Sequence, residues 1–273
     1  MNHALSTHLW VNHRLTSSLL AKIQQAGIPE VEIFCARQHL DYRDRAQIAE
    51  LGHWFRDSDL KLRSMHSPMY TDDIWGRSGP HSHISITHPV KSVRMPMVEE
   101  IKRAIEIAEL IPFRYLIQHI GVGGEEFDMR KFDAAFTALE ELRVFARQLD
   151  VEILLENIPN ELSTAARLRE FQDLTHIGLN YVFDTGHAHM GEGVEAAFHV
   201  MKDRIRSTHI HDNDGSADAH LFPFTGGIDW KSVMPLLRGC GDQFPLLLEL
   251  KEQPGLANPL DEIRRVFDRL EEE

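Results

Sequence analysis

Between Thr208 and Trp230 the chain reads THIHDNDGSADAHLFPFTGGIDW. The stretch opens as a short alternating strand, Ser207-Thr208-His209-Ile210-His211, breaks at the polar turn Asp212–Gly215, and resumes with Asp218-Ala219-His220. So many carboxylates and imidazoles in so few residues make a poor core and a good metal site. Neutral imidazole and carboxylate are the ligands that suit zinc, manganese and related divalent ions. Any one of these histidines is equally readable as a solvated loop residue; the grouping of His209, Asp218 and His220 favours ligation.

The same residue types recur wherever an apolar run ends. His66 follows Leu60–Met65, His119 follows Tyr115–Gln118, Glu156 follows Val151–Leu155, and Asp184 follows Gly178–Phe183. His209 lies in Ile205–Ile210 and Glu249 follows Pro245–Leu248. A single acid at such a position is readable as a helix cap, but an unbroken series is not, because carboxylates gathered at a buried edge repel unless a cation or proton compensates them. Asp184-Thr-Gly-His187 and Asp218-Ala-His220 each add an acid and an imidazole within reach of one centre. Metal-bound imidazoles need an acceptor for their other N–H, and Asn157, Asp212 and His211 are available. His211 is expected to point outward or into a neighbouring loop, not at the metal that His209 faces.

Stepping between these residues, strands and helices alternate. Strands are expected at Leu5–Val11, Val31–Phe34 and the six runs above. Helices are expected at Thr16–Gln25, Arg45–Asp57, Met97–Leu110, Met129–Leu149, Ser163–Leu174, Val194–Lys202, Trp230–Arg238 and Leu260–Leu270. Ser163 is a suitable N-cap. Eight such units favour a closed α/β architecture, a (β/α)8 TIM barrel forming one domain over residues 1–273, in which all strand ends converge on one face. No GxGxxG follows the first strand, which argues against a dinucleotide fold. The irregular stretch Met69–Arg94, rich in Gly, Pro and aromatics, reads as a lid or a disordered insertion, with Tyr70, Trp75 and Arg77 able to close over a ligand.

A formal charge of −13 argues against a nucleic-acid-coating surface. Two cysteines, Cys35 and Cys240, form no framework and suit a reducing cytoplasm. The N-terminus lacks the pattern of a signal peptide, and no apolar run approaches the ~18 residues of a membrane span. A cytoplasmic protein without a membrane partner is expected, and an oligomer is compatible with it.

The segments MHSP (65–68), QHIGV (118–122), LLENIPNE (154–161), FDTGHAH (183–189), THIHDNDGSADAH (208–220), GGIDW (226–230) and LLLELK (246–251) resemble, in order and spacing, the xylose-isomerase-like TIM-barrel superfamily. That superfamily holds sugar phosphate isomerases/epimerases and the endonuclease IV type of AP endonuclease. The resemblance implies one divalent ion on Glu156, Asp184, His209 and Glu249. Endonuclease-like members add ligands matching His66, His119, His187, Asp218 and His220. Two departures stand out. Phe224-Thr225-Gly226 replaces a Gly-Glu-Gly common in relatives, and no arginine lies between His209 and Trp230, where ketose epimerases place one. Asp-Thr-Gly-His with Ile-Asp-Trp is closer to the sugar branch.

The expectation is a metal-dependent isomerase or epimerase of a sugar or sugar phosphate, a place in carbohydrate metabolism. Glu156 and Glu249 would be the acid/base pair of an enediolate mechanism, with His187, Tyr70 and Trp75 against substrate and zinc or manganese as cofactor, more than one ion being accommodated. The alternative is a multi-zinc phosphodiesterase or AP-endonuclease-like hydrolase. A non-catalytic metal- or sugar-binding barrel would leave the acid pair without a use.

Overall fold

The structure, a computed structural model, describes residues 1–273. Eight parallel strands run in the order β7-β6-β5-β4-β3-β2-β1-β8. They are β1 His3–Ser6, β2 Glu30–Phe34, β3 Lys61–His66, β4 Tyr115–His119, β5 Glu152–Glu156, β6 Asn180–Asp184, β7 Ile205–His209 and β8 Leu246–Leu248. The ring closes between β7 and β8 through an isolated bridge, Ile210 with Leu248. That seam is short because a side chain occupies it: the Thr208 hydroxyl donates to the Pro245 carbonyl at 2.8 Å and accepts from Leu247 N at 3.2 Å. The outcome is the (β/α)8 TIM barrel that the alternation predicts. No helix is long and apolar enough to cross a membrane.

Side chains two residues apart on a strand share a face, and this parity builds the site. The inward floor is Tyr115, Ile117, Leu154 and Val182. One step further along the same faces come His119, Glu156 and Asp184, so the barrel interior changes from apolar to ionisable within two residues. The outward positions, such as Leu116, Leu155 and Phe183, join the larger core beneath the helices, each fully buried aliphatic there contributing about 1.5–3 kcal/mol.

The helices are α1 Ser17–Gln25, α2 Arg45–Arg56, α3 Lys91–Ile105, α4 Met129–Arg147, α5 Ala165–Thr175, α6 Thr185–Met190, α7 Val194–Met201, α8 Trp230–Arg238 and α9 Pro259–Glu272. Several expected bounds move. The first strand stops at Ser6, and Thr7–Trp10 tightens into a 3-10 turn capped by the Ser6 hydroxyl. Helix α3 begins six residues before Met97, at Lys91, and continues through Pro96, whose missing N–H leaves one helical hydrogen bond unmade. The cap of α5 is Thr164, which accepts from Arg167 N, whereas Ser163 donates inward to the Ile120 carbonyl. The short α6 follows Asp184 with no loop, a feature invisible to periodicity because it is barely one and a half turns long.

The loop from Asp212 to Asp229 has almost no regular structure and is held by one buried carboxylate. Asp212 Oδ1 accepts from Asn213 N at 2.9 Å and Ile228 N at 3.0 Å; Oδ2 accepts from Phe224 N at 3.1 Å and Trp230 Nε1 at 2.9 Å. Gly226 is required beside it, since a Cβ there would lie 2.4 Å from Asp212 Oδ1. Asp212 is therefore the organiser of this loop and not a partner of a metal-bound imidazole. Asp212→Ala strands four donors and should lower unfolding free energy by at least about 3 kcal/mol, read from urea unfolding; Asp212→Asn, which keeps an acceptor, should cost less.

Candidate metal centre

Every ligand-type side chain expected from the sequence converges on the carboxyl-terminal mouth of the barrel. Donor atoms of three sets lie within 4.8 Å of one another: Glu156, Asp184, His209 and Glu249; His66, His119 and Glu156; and His187, His211, Asp218 and His220. Each set could hold a cation. His209 is the hub, with Nδ1 at 3.0 Å from Glu156, 3.3 Å from Glu249 and 3.8 Å from Asp184. Glu156 Oε2 also meets His119 Nε2 at 3.0 Å and His66 Nε2 at 3.5 Å, so it joins the first set to the second. His187 Nε2 lies 3.5 Å from Asp218 and His220 Nε2 lies 3.0 Å from it.

Backbone carbonyls select the imidazole tautomers. A carbonyl only accepts, so the nitrogen facing it carries the proton. His66 Nδ1 donates to the Ser67 carbonyl at 2.9 Å, His187 Nδ1 to that of Asn157 at 3.0 Å, and His220 Nδ1 to that of Glu249 at 3.0 Å. Each ring thereby turns Nε2 to the cluster. His220 does so from a left-handed backbone, φ 45°, a conformation that side chains adopt at some cost and that concentrates at functional sites. Asp184 divides its oxygens: Oδ1 caps α6 through His187 N, while Oδ2 faces His211 at 3.1 Å.

The charges demand compensation. Burial alone would raise Glu156, yet His209 and His119 hold it well below the ordinary carboxylate range. Burial, with Glu156 adding to it, raises Glu249 to about 7. Burial alone would lower His187 and His209, but Asp184 and Asp218 hold the first, and Glu249, Glu156 and Glu32 the second, well above the usual imidazole range. The acids thus draw positive charge into the mouth, as protons where no cation supplies it. A cation suits the donor set: His66 and His119 bring their Nε2 atoms within 3.2 Å of each other, and Asp218 Oδ1 is buried without a hydrogen-bond partner.

Three residues escaped the sequence reading. Glu32, fully buried in β2, accepts from His209 Nε2 at 3.1 Å and from the Ser64 hydroxyl at 2.7 Å, orienting the hub. Its only sequence signal was an acid inside an otherwise apolar strand, Val31-Glu32-Ile33-Phe34. His8 and Phe34 line the chamber. The expectation that His211 turns away from the site is overturned. Residues i and i+2 share a face, so His211 follows His209 inward, meets Asp184, and stacks on His220 at 4.0 Å. Asn157 serves through its backbone: its carbonyl takes the His187 proton, and its side chain pairs with the Asp184 backbone.

Above the cluster is a chamber of about 290 Å³ lined by Phe34, Met69, Tyr70 and Trp75 and by ligand-type residues that include His66, Glu156 and His220. Tyr70 and Trp75 line this chamber. The stretch carrying them is laced by side-chain contacts. Asp72 gathers Ser78 N and the Ser78 and Ser82 hydroxyls at 2.7–2.9 Å, and Arg37 reaches Asp73 at 2.5 Å. Arg77, in contrast, is exposed and outside the chamber.

The family described as xylose isomerase-like TIM barrel matches residues 20–273. A curated relative, an uncharacterized protein of Sinorhizobium fredii, is 28% identical over 167 residues, 57% of this chain and 53% of that protein, so the chain matches about half of that relative's length. Among solved structures, a D-tagatose 3-epimerase-like protein superposes with a TM-score of 0.77 at 23% identity, covering 100% of this chain and 99% of the other. The IOLI protein with a zinc atom superposes at 0.80 with 14% identity, covering 99% and 98%. At these identities the likeness establishes the fold.

Gly186, in the Asp-Thr-Gly-His turn, leaves room for His211: a Cβ there would lie 2.0 Å from the imidazole Cε1. Gly186→Ala should expel that ring and destabilise the protein by about 1–3 kcal/mol, with His211→Ala in the same chain recovering part of the loss. Urea midpoints of the two variants check this.

Proposed function

The chain belongs to the xylose isomerase-like TIM barrel family, and from that premise we propose that it is a divalent-metal-dependent isomerase or epimerase acting on a sugar or sugar phosphate. The observation that carries the reading is the placement of Glu156 and Glu249, from β5 and from just beyond β8, within 3.0 and 3.3 Å of the same His209 nitrogen at the base of an aromatic-walled chamber. Two carboxylates so close, with environments that push them apart in acidity, suit a proton removed on one side and returned on the other. The likeness to a D-tagatose 3-epimerase-like protein supports a ketose as substrate class, and the likeness to a zinc-bound barrel supports zinc.

Glu156, Asp184, His209 and Glu249 would hold the ion. Bound there, a divalent cation supplies Lewis acidity that polarises a substrate carbonyl and makes the neighbouring C–H more acidic. The chain does the rest. One of the Glu156 and Glu249 carboxylates takes the proton from carbon and the other returns one. His187, with Nδ1 donating to the Asn157 carbonyl, turns Nε2 toward the substrate oxygens and contacts one of them. Tyr70, Trp75 and Phe34 cover the ring and exclude water. Glu32 keeps His209 in one orientation, through the kind of outer partner whose loss weakens metal binding by roughly 10–100-fold.

A second reading, a multi-zinc phosphodiesterase, draws on the two further donor sets around His66–His119 and around His187–Asp218–His220. Two measurements separate the readings. Protein incubated with a ketose in deuterium oxide should incorporate deuterium at carbon, and Glu249→Gln, which keeps the shape but cannot cycle a proton, should lower that rate by at least about 10²–10⁴-fold without changing the circular dichroism. Cleavage of a phosphodiester with no carbon exchange decides for the hydrolase. Separately, elemental analysis of protein purified without chelator should give more than one ion per chain, with zinc in the histidine-rich set, and His220→Ala should lower the count. One ion, unchanged by that substitution, makes the extra histidines substrate contacts.

A further inference from the structure

His8 lies in the 3-10 turn after β1, beside His220 in the lining of the chamber, and no step above uses it. Its Nδ1 is 2.9 Å from the Leu250 carbonyl and so carries the proton. No carboxylate pairs with the ring, whose neighbours are Phe34 at 5.0 Å, the edge of Trp75 at 5.4 Å and His220 at 4.6 Å between centroids. Nothing there stabilises a second proton. Nε2 is therefore a bare lone pair, without a protein partner yet not sealed from solvent, on a ring that lines the chamber.

We propose that His8 is a specificity-determining residue whose Nε2 accepts a hydrogen bond from a free hydroxyl of a polyhydroxy ligand, so that the end of the ligand lying against Phe34 and Trp75 is unphosphorylated. This rests on the reading of the chamber as a sugar site and narrows it. A hydroxyl donates to a lone pair; a phosphate dianion has no proton to give and meets repulsion. The lining offers no arginine, and its one lysine, Lys251, gives one of its three N–H donors to the Asp218 carbonyl at 2.6 Å. The aromatic faces of Phe34 and Trp75 complement the C–H surface of a sugar on either side of that hydroxyl.

The test uses the full-length, zinc-loaded protein labelled with ¹⁵N at histidine. The His8 signals, identified by their loss in His8→Phe, should show Nδ1–H with a bare Nε2, and xylitol or D-fructose should shift the Nε2 resonance. D-fructose should bind at least about tenfold more tightly than D-fructose 6-phosphate, the worth of about one hydrogen bond. His8→Phe should erase that preference, and His8→Gln, which keeps an acceptor on a folded chain, should restore part of it. A protonated Nε2, a resonance unmoved by both compounds, or a preference unchanged in His8→Phe overturns the proposal. A His8 shift without carbon-bound deuterium exchange from any ketose leaves the proposal intact and overturns the isomerase reading instead.

Discussion

Four buried carboxylates, Glu32, Glu156, Asp184 and Glu249, surround the single imidazole of His209, and no lysine or arginine pairs with any of them. This shortage of positive charge is the constraint on which the mouth of the barrel depends. Carboxylates at these separations inside a protein repel by several kcal/mol at an effective dielectric of about 20. They can be held together only by protons or by a cation. The ring of further histidines fits the same need, since each is oriented to offer a lone pair when deprotonated or a charge when not.

The orientation comes from the backbone. Barrel strands end with carbonyls that have no onward ladder partner, and here those of Ser67, Asn157, Glu249 and Leu250 each take an imidazole Nδ1–H. One structural debt of the fold, unpaired carbonyls at a buried rim, is thereby settled by the imidazoles gathered at the mouth. The arrangement also divides labour. His66, His187 and His220 present Nε2 to acids and so suit a cation. His8, by the same device but facing Phe34 and Trp75, presents its lone pair to the chamber.

The loop after β7 shows how an irregular segment can be as well determined as a helix. Asp212 satisfies three backbone N–H donors that regular structure would have paired, together with the Trp230 indole N–H, and Gly226 admits the close approach. Asp218 and His220 project from that frame. The Phe224-Thr225-Gly226 departure from relatives lies within it; Phe224 packs beneath the Arg269 guanidinium at 3.8 Å and near Trp230, an anchoring role that the acid of a Gly-Glu-Gly would not fill.

By itself the sequence determined the alternation of strands and helices, and with it the barrel, because hydrophobic periodicity is local and repeats eight times. It also determined which side chains end the strands, so Glu156, Asp184, His209 and Glu249 were legible together with His66 and His119, while the grouping of the four around one ion was what the resemblance implied. What only the tertiary structure decided was the company each residue keeps. Glu32 looked like one acid in an apolar strand until the barrel curved it beneath His209, more than 170 positions away in sequence. His8 carried no signal, because its partner carbonyl comes from the far end of the chain and its aromatic neighbours from β2 and the long β3–α3 connection. His211 needed the strand's twofold alternation to continue one residue past its last ladder bond, and the empty space over Gly186 to receive the ring. These are non-local packing facts, and no window of sequence contains them.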